Sequence, residues 1–251
     1  MRLDKFLCDC GFGTRKEVRE LIKKGGVQVC GAGEGQPGKA VSDPGMQIDP
    51  EKVQVSVNGE RIRYREHLYL LLHKPAGVVT ASSDKRERTV MEFVPPEAAH
   101  RVQPVGRLDK DTEGLLLLPD DGELSHRLLS PKRHVEKLYE AHLSKDLTRE
   151  ALERLENGVD IGDGEPTLPA KAEMGPADAQ GRPVLYLTLH EGRFHQVKRM
   201  AEAVGSEVLY LKRLRMGPLS LPEDLAPGAC RELTPEEEDA LRSAAGLREG
   251  E

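Results

Sequence analysis

Gly106-Arg107-Leu108-Asp109 stands shortly before the apolar run Leu115 to Leu118, with Thr112 and Gly114 between them. A charged cluster placed just ahead of a buried strand puts an ionisable group at the rim of a core, where a carboxylate can be held in a defined direction. The competing reading is a surface turn with solvated charges, the commonest fate of such residues. A second cluster runs from Glu191 to Met200 as Glu-Gly-Arg-Phe-His-Gln-Val-Lys-Arg-Met. Here a strand ends, Gly192 turns the chain, and a helix begins among Arg193, His195, Lys198 and Arg199. Its N-terminal N–H groups and these cations converge on one spot, which suits a phosphate or a carboxylate in need of a partner. The alternative is an amphipathic helix whose polar face happens to be basic.

Three other patterns lack the context their chemistry needs. Asp109-Lys110-Asp111-Thr112-Glu113-Gly114 matches the opening of a calcium loop and has Asp120 at the twelfth position, but Leu115 to Leu118 supplies no oxygen ligands and Pro104 spoils a preceding helix. Gly31-Ala32-Gly33-Glu34-Gly35 is followed by Pro37 and by no helix pattern, so it reads as a loop and not a phosphate cradle. Cys8, Cys10, Cys30 and Cys230 are spaced too unevenly for a disulfide framework and form no C-x-x-C pair, so neither zinc nor any other metal is expected.

The elements that must position the two clusters can be read from periodicity. Residues 1 to about 62 form a small module. Leu3, Phe6, Leu7 and Cys10 mark one short helix. Thr14-Arg15-Lys16-Glu17 opens a second as a capping box, with Val18, Leu21 and Ile22 as its stripe and Gly25-Gly26 after it. Arg15, Lys16, Arg19, Lys23 and Lys24 are left on its exposed face. Val27 to Val29 is a strand, Gly31 to Gly45 is expected to be loop, and Val53 to Val57 turns through Asn58-Gly59 into Arg61-Ile62-Arg63.

From Leu68 onward strands lengthen and helices intersperse. Strands are expected at Leu68 to Leu72, Val78 to Thr80, Leu115 to Leu118, 135 to 143, Val184 to Leu189 and Val208 to Leu211. Val135, Lys137, Tyr139 and Ala141 share one strand face. Short helices are expected at Leu124 to Leu128, Thr148 to Glu156 and Gln196 to Val204, and a last one at Thr234-Pro235-Glu236-Glu237. Leu124 to Leu128 is closed by Ser130-Pro131. This mixed order implies an α+β fold with a mostly antiparallel mixed sheet in the larger domain, 63 to 251.

The chain has 251 residues and a formal net charge of −6. Residues 222 to 251 hold nine acids against three bases and account for all of it, so the remainder is neutral overall and free to carry basic patches. No run approaches the roughly 20 apolar residues of a membrane span, and Arg2, Asp4 and Lys5 interrupt the N-terminus, which is unlike a signal peptide. A cytoplasmic protein with no membrane partner is expected.

Taken together, Gly106-Arg107-Leu108-Asp109-x-x-Thr112-x-Gly114 with its Leu run and Asp121-Gly122 resembles the catalytic signature of ribosomal pseudouridine synthases. Lys74-Pro75-x-Gly77, Glu136-Lys137-x-Tyr139 and the 191–200 segment resemble the other motifs of that family in the right order. Residues 1 to 62 resemble the small RNA-binding domain named after ribosomal protein S-four. His-Gln-Val-Lys-Arg-Met most resembles the branch acting on small-subunit 16S rRNA.

The resemblance implies isomerisation of a specific uridine of 16S rRNA to pseudouridine, at the family's uridine 516 site. No cofactor is needed, and the enzyme is expected to be a monomer acting on 16S rRNA, free or in a partly assembled small subunit. By motif match Asp109 is the catalytic carboxylate and Lys198 its cation, with Arg193 a second candidate. Tyr139 stacks on the extruded uracil and can transfer a proton, and Arg107 helps displace the target base. Lys137, Arg193 and His195 complete the substrate contacts. Arg15, Lys16, Arg19, Lys23 and Lys24 grip the RNA backbone. A synthase acting on 23S rRNA and an RNA-binding assembly factor without catalysis are the alternatives.

Overall fold

Leu3, Phe6 and Leu7 recur at helical spacing, and α1 (Leu3–Asp9) buries all three. The computed structural model describes residues 1–31, 38–50, 52–62, 67–130 and 135–247, which fall into two units. The first is Met1–Leu68 with Pro95–His100, the second Tyr69–Val94 with Arg101–Glu251.

In the first unit α2 (Arg15–Lys23) follows α1 and starts with a full capping box: Thr14 accepts from the Glu17 N–H and the Glu17 carboxylate accepts from the Thr14 N–H at 2.7 Å. Four strands form an antiparallel sheet in the order β2-β1-β3-β4, with β1 Val27–Gly31, β2 Lys39–Ala40, β3 Val53–Val57 and β4 Glu60–Ile62. Asn58 and Gly59, at φ 51° and 88°, make the two-residue turn between β3 and β4, a conformation for which Asn-Gly is the favoured pair. Val18, Ile22, Val27, Val55 and Val57 join the α1 side chains in one core. Lys39–Ala40 corrects the expectation of loop throughout 31 to 45, because these residues pair with Gln28 and Val29 on the edge of β1. Ala32 to Pro37, Arg63 and Pro131 lie outside the described residues.

In the second unit the order is β5 (Tyr69–Lys74), β6 (Glu113–Pro119), α4 (Gly122–Leu129), β7 (Lys137–Leu143), α5 (Arg149–Asn157), β8 (Lys171–Gly175), β9 (Val184–Leu189), α6 (Gln196–Ala203), β10 (Val208–Met216), β11 (Leu219–Ser220), β12 (Cys230–Glu232) and α7 (Pro235–Ala244). The short α3 (Pro96–Ala99) lies in the stretch grouped with the first unit. The strands form one sheet in the order β12-β5-β6-β10-β7-β9-β8, with β11 paired to β10. Only the β6–β10 pair is parallel among these.

Leu115 to Leu118 are all fully buried, so β6 reads as a continuous apolar run because both of its faces are covered. One cluster joins Leu71, Leu115 and Leu117 to Leu124, Leu128 and Leu241 from α4 and α7. The other joins Ala141, Leu187 and Leu211 to Leu155 and Met200 from α5 and α6. The acidic C-terminal stretch gives α7 its capping box and three first-turn glutamates, which suit the positive end of the helix dipole.

Two strand expectations change. Val78 to Thr80 is not a sheet strand; Val79 makes a single bridge to Thr89, and the turn at Pro75-Ala76-Gly77 diverts the segment toward the 106–112 loop. Conversely, β10 runs on past Leu211 to Met216 although Lys212, Arg213 and Arg215 are charged. Among the described residues no helix is long and apolar enough to cross a membrane, and no group of three or more His, Cys, Asp or Glu could hold a metal ion.

Candidate active site

Asp109 sits in the turn that leads into β6, and three anchors fix that turn. Lys74, completely buried at the end of β5, donates to the Thr112 carbonyl at 2.8 Å, the Pro75 carbonyl at 3.1 Å and the Lys110 carbonyl at 3.4 Å. The Gly77 N–H donates to the Lys110 carbonyl at 2.7 Å. The Thr80 hydroxyl donates to the Leu108 carbonyl at 2.8 Å and accepts from the Leu108 N–H at 3.1 Å. The Lys-Pro-x-Gly element is therefore the mount of the Asp109 turn. Burial pushes the Lys74 ammonium down to about 8, against the attraction of Asp111, Asp109 and Glu113.

Gly114 completes the turn. Its φ of 110° is one that side-chain-bearing residues rarely adopt, and an added methyl group would overlap the Arg213 backbone of the parallel neighbour β10.

The second cluster meets Asp109 from α6. Lys198 Nζ lies 3.5 Å from Asp109 Oδ2, and His195 Nε2 lies 3.5 Å from Asp109 Oδ1. The same ammonium is closer to Asp111, at 2.6 and 2.8 Å from its two carboxylate oxygens. Burial pushes the Asp111 carboxyl up, but the hydrogen bonds and charge of Lys198 outweigh it and hold the group below the usual carboxylate range. His195 stands at the N-cap of α6 with φ 49°, its ring stacked on Phe194 at 3.8 Å between centroids.

Arg193 is placed differently from its expected role beside Asp109. Its guanidinium donates to Glu191 at 3.1 Å and to the carbonyls of Glu165 and Pro166 at 2.8 and 2.9 Å. Gln196 links its Oε1 to the Arg193 N–H and its Nε2 to Glu191, so Glu191, Arg193 and Gln196 brace the turn that presents His195.

A cavity of about 460 Å³ opens beside Asp109, a size suited to a nucleoside. Asp109, Arg107, Lys137, Tyr139, Arg193 and His195 all line it. Lys198 is not among its lining residues and reaches the site through Asp109. Tyr139 and Lys137 project from the same face of β7, as period-two alternation requires. Lys137 donates to the Val135 carbonyl at 2.8 Å, and burial, with Arg213 nearby, lowers its ammonium to about 8.

Arg213, Thr112 and Phe194 also line this cavity; Thr112 and Phe194 belong to the two clusters without an expected role, and Arg213 was not anticipated. Arg213 lies directly across from Tyr139 in the β7–β10 register. The signal that could have found it is the alternation Leu211, Arg213 along a strand that Leu214 and Met216 continue.

Residues 68–203 match the family model for RNA pseudouridylate synthase, and residues 1–29 match the S4 domain. The chain belongs to the RNA pseudouridine synthase family. The synthase is 52% identical, over 94% of its length and 96% of the relative's, to an uncharacterized RNA pseudouridine synthase of Bacillus subtilis (strain 168). It is 40% identical to ribosomal large subunit pseudouridine synthase B of the same organism, over 97% of this chain and 96% of that one. It is 39% identical to ribosomal small subunit pseudouridine synthase A of Vibrio cholerae, over 94% and 97%. A solved pseudouridylate synthase, 35% identical, superposes with a TM-score of 0.64 over 96% of this chain and 99% of that one. The α+β fold with a mostly antiparallel sheet is thus the fold of this synthase and its solved relative.

Proposed function

We propose that the synthase isomerises one uridine of 16S rRNA, at the position corresponding to uridine 516, with Asp109 as the catalytic carboxylate. The observation that carries this reading is the Asp109 carboxylate, paired with Lys198 and His195 at 3.5 Å and lining a nucleoside-sized cavity. A carboxylate so held can attack the sugar or stabilise its positive charge as the glycosidic bond breaks. Tyr139, only 8% exposed, offers a face for the extruded uracil and a phenolic oxygen for proton transfer. Arg107, exposed at the cavity, fits the role of displacing the target base from its stack.

The N-terminal 62 residues serve as the RNA grip. Arg15, Lys16, Arg19, Lys23 and Lys24 are all exposed on α2 or just after it, although Arg19 also donates to Asp4 at 3.2 Å. Residues 63 to 251 then carry the chemistry.

The small-subunit target rests on the His195-Gln196-Val197-Lys198-Arg199-Met200 motif and on the relatives named for that subunit. The 40% identity to a large-subunit synthase favours 23S rRNA as the second reading. Incubating the full chain with 16S and 23S fragments labelled with tritium at uridine C5 separates them. Release from the 16S fragment supports the proposal, and release from the 23S fragment alone overturns the target.

A further inference from the structure

Arg213 is the largest fully buried side chain among the described residues, 1% exposed, in the middle of the sheet. Its Nε donates to the Leu115 carbonyl at 2.8 Å, its Nη2 is buried without a hydrogen-bond partner, and Arg213 is among the residues that line the cavity. The Thr112 hydroxyl, 1% exposed, is a second buried polar atom without a partner, and Thr112 also lines the cavity. Lys137 adds a second cation, and no carboxylate among the described residues forms an ion pair with either Arg213 or Lys137.

A guanidinium withdrawn from water with a donor left open, beside a half-buried ammonium, is costly unless a ligand supplies the acceptors. An apolar side chain would serve packing alone at least as well. The cavity lining thus holds Asp109 together with two cations that no carboxylate pairs, and those two call for an anionic or acceptor-rich group.

Resting on the reading of Tyr139 as the uracil platform, the register identifies that group, because Arg213 of β10 is the register partner of Tyr139 of β7. We propose that Arg213, with Lys137 and the Thr112 hydroxyl beside it, holds the uracil oxygen that gains negative charge when the glycosidic bond breaks, and is a catalytic residue of this synthase. The C1′–N1 bond breaks with its electron pair staying on the base, so uracil departs as a monoanion with charge shared by N1, O2 and O4. Asp109 balances the positive sugar. After the base turns and C1′–C5 forms, the C5 proton leaves and N1 takes one up, so composition and charge are restored. Donors placed where charge develops lower the barrier without tightening the ground state.

The test uses the full chain, Arg213→Met and Arg213→Lys, with an RNA fragment that the parent modifies, measuring Kd and single-turnover rate. The target position carries uridine, 2-thiouridine or 4-thiouridine, since sulfur is a poor acceptor. Expected for Arg213→Met is a rate loss of about a hundredfold or more with Kd within about threefold, and partial recovery in Arg213→Lys. One thio substitution should slow the parent at least about tenfold and add little to the loss in Arg213→Met, because residue and oxygen act as one pair. Should Arg213→Met fail to fold, the same cycle is read on Arg213→Lys.

Equal thio effects in parent and variant overturn the proposal. So does an affinity loss that disappears on RNA with a neutral methylphosphonate at the target, which assigns Arg213 to phosphate. A parent active only on a 23S fragment refutes the 16S target, and the Arg213 cycle then runs on that fragment unchanged.

Discussion

Lys198 places one ammonium 3.5 Å from Asp109 and 2.6 Å from Asp111, so a single cation is divided between two carboxylates. The nearer partner is largely exposed and the farther one is the proposed catalytic group, which makes Asp111 a competitor for the charge that Asp109 needs. Lys198→Met should lower the single-turnover rate about a hundredfold or more, because Asp109 loses the cation that positions it in the transition state. Asp111→Asn should leave the rate within about threefold of the parent or raise it, since an exposed pair contributes little by itself. Tritium release from both variants checks the pair, and equal losses would show Asp111 to be as necessary as Lys198.

Gly114→Ala should destabilise the second unit by about 3 kcal/mol or more, because the new methyl group meets the Arg213 backbone and the φ of 110° is strained for alanine. Urea unfolding measures it. A midpoint unchanged from the parent would mean that β6 and β10 separate without cost.

One buried and one half-buried amine bear on the alkaline stability. Lys74 and Lys137 are each held near 8, below the ordinary 10.5, mainly by burial. The folded state therefore binds fewer protons than the unfolded chain above about pH 8, and stability should rise as pH increases from there. Cys230, which burial pushes up to about 11, and Tyr69 and Tyr210, raised mainly by burial, oppose this from about pH 9 upward. The unfolding midpoint should climb between about pH 7.5 and 9, and Lys74→Met should flatten that climb. A midpoint falling over this interval in the parent contradicts the assignment.

Replacing Lys16, Lys23 and Lys24 by Gln in the full chain should reduce the slope of log affinity against log salt by about two to three, with each phosphate contact releasing close to one counterion. Arg19 is left intact, because its bond to the buried Asp4 makes it structural as well. With Arg2, it holds the Asp4 carboxyl at about 2, the Arg2 fork being the larger influence. An unchanged slope in the triple variant would remove α2 from the RNA contact surface.

Much of this fold was legible because its signals are local. The Thr14 and Thr234 capping boxes, the Asn58-Gly59 turn and the unbroken Leu115 to Leu118 run each encode their own structure within a few residues. Asp109, Lys198 and His195 could be singled out by residue type and setting, and the fold then brings them together across 89 residues of chain. What stayed hidden depends on tertiary contacts. Lys212, Arg213 and Arg215 look like the polar end of a strand, and only the neighbouring strands on both sides show that the chain continues through them. Val78 to Thr80 has strand composition, but the Thr80 hydroxyl bonds to Leu108 and commits the segment to the Asp109 turn. Arg193 looked like a free cation because the carbonyls of Glu165 and Pro166 that accept from it lie far away in sequence.

The most direct test of the whole account is pseudouridine formation by Asp109→Asn, read as tritium release from a C5-labelled fragment that the parent converts. The amide keeps the shape of the carboxylate but cannot act as the nucleophile or balance a positive sugar. The expected result is no turnover above background with RNA affinity within about threefold of the parent, because binding rests on phosphate contacts made elsewhere. Measurable pseudouridine from this variant would contradict the assignment of Asp109 and, with it, the site built around that residue.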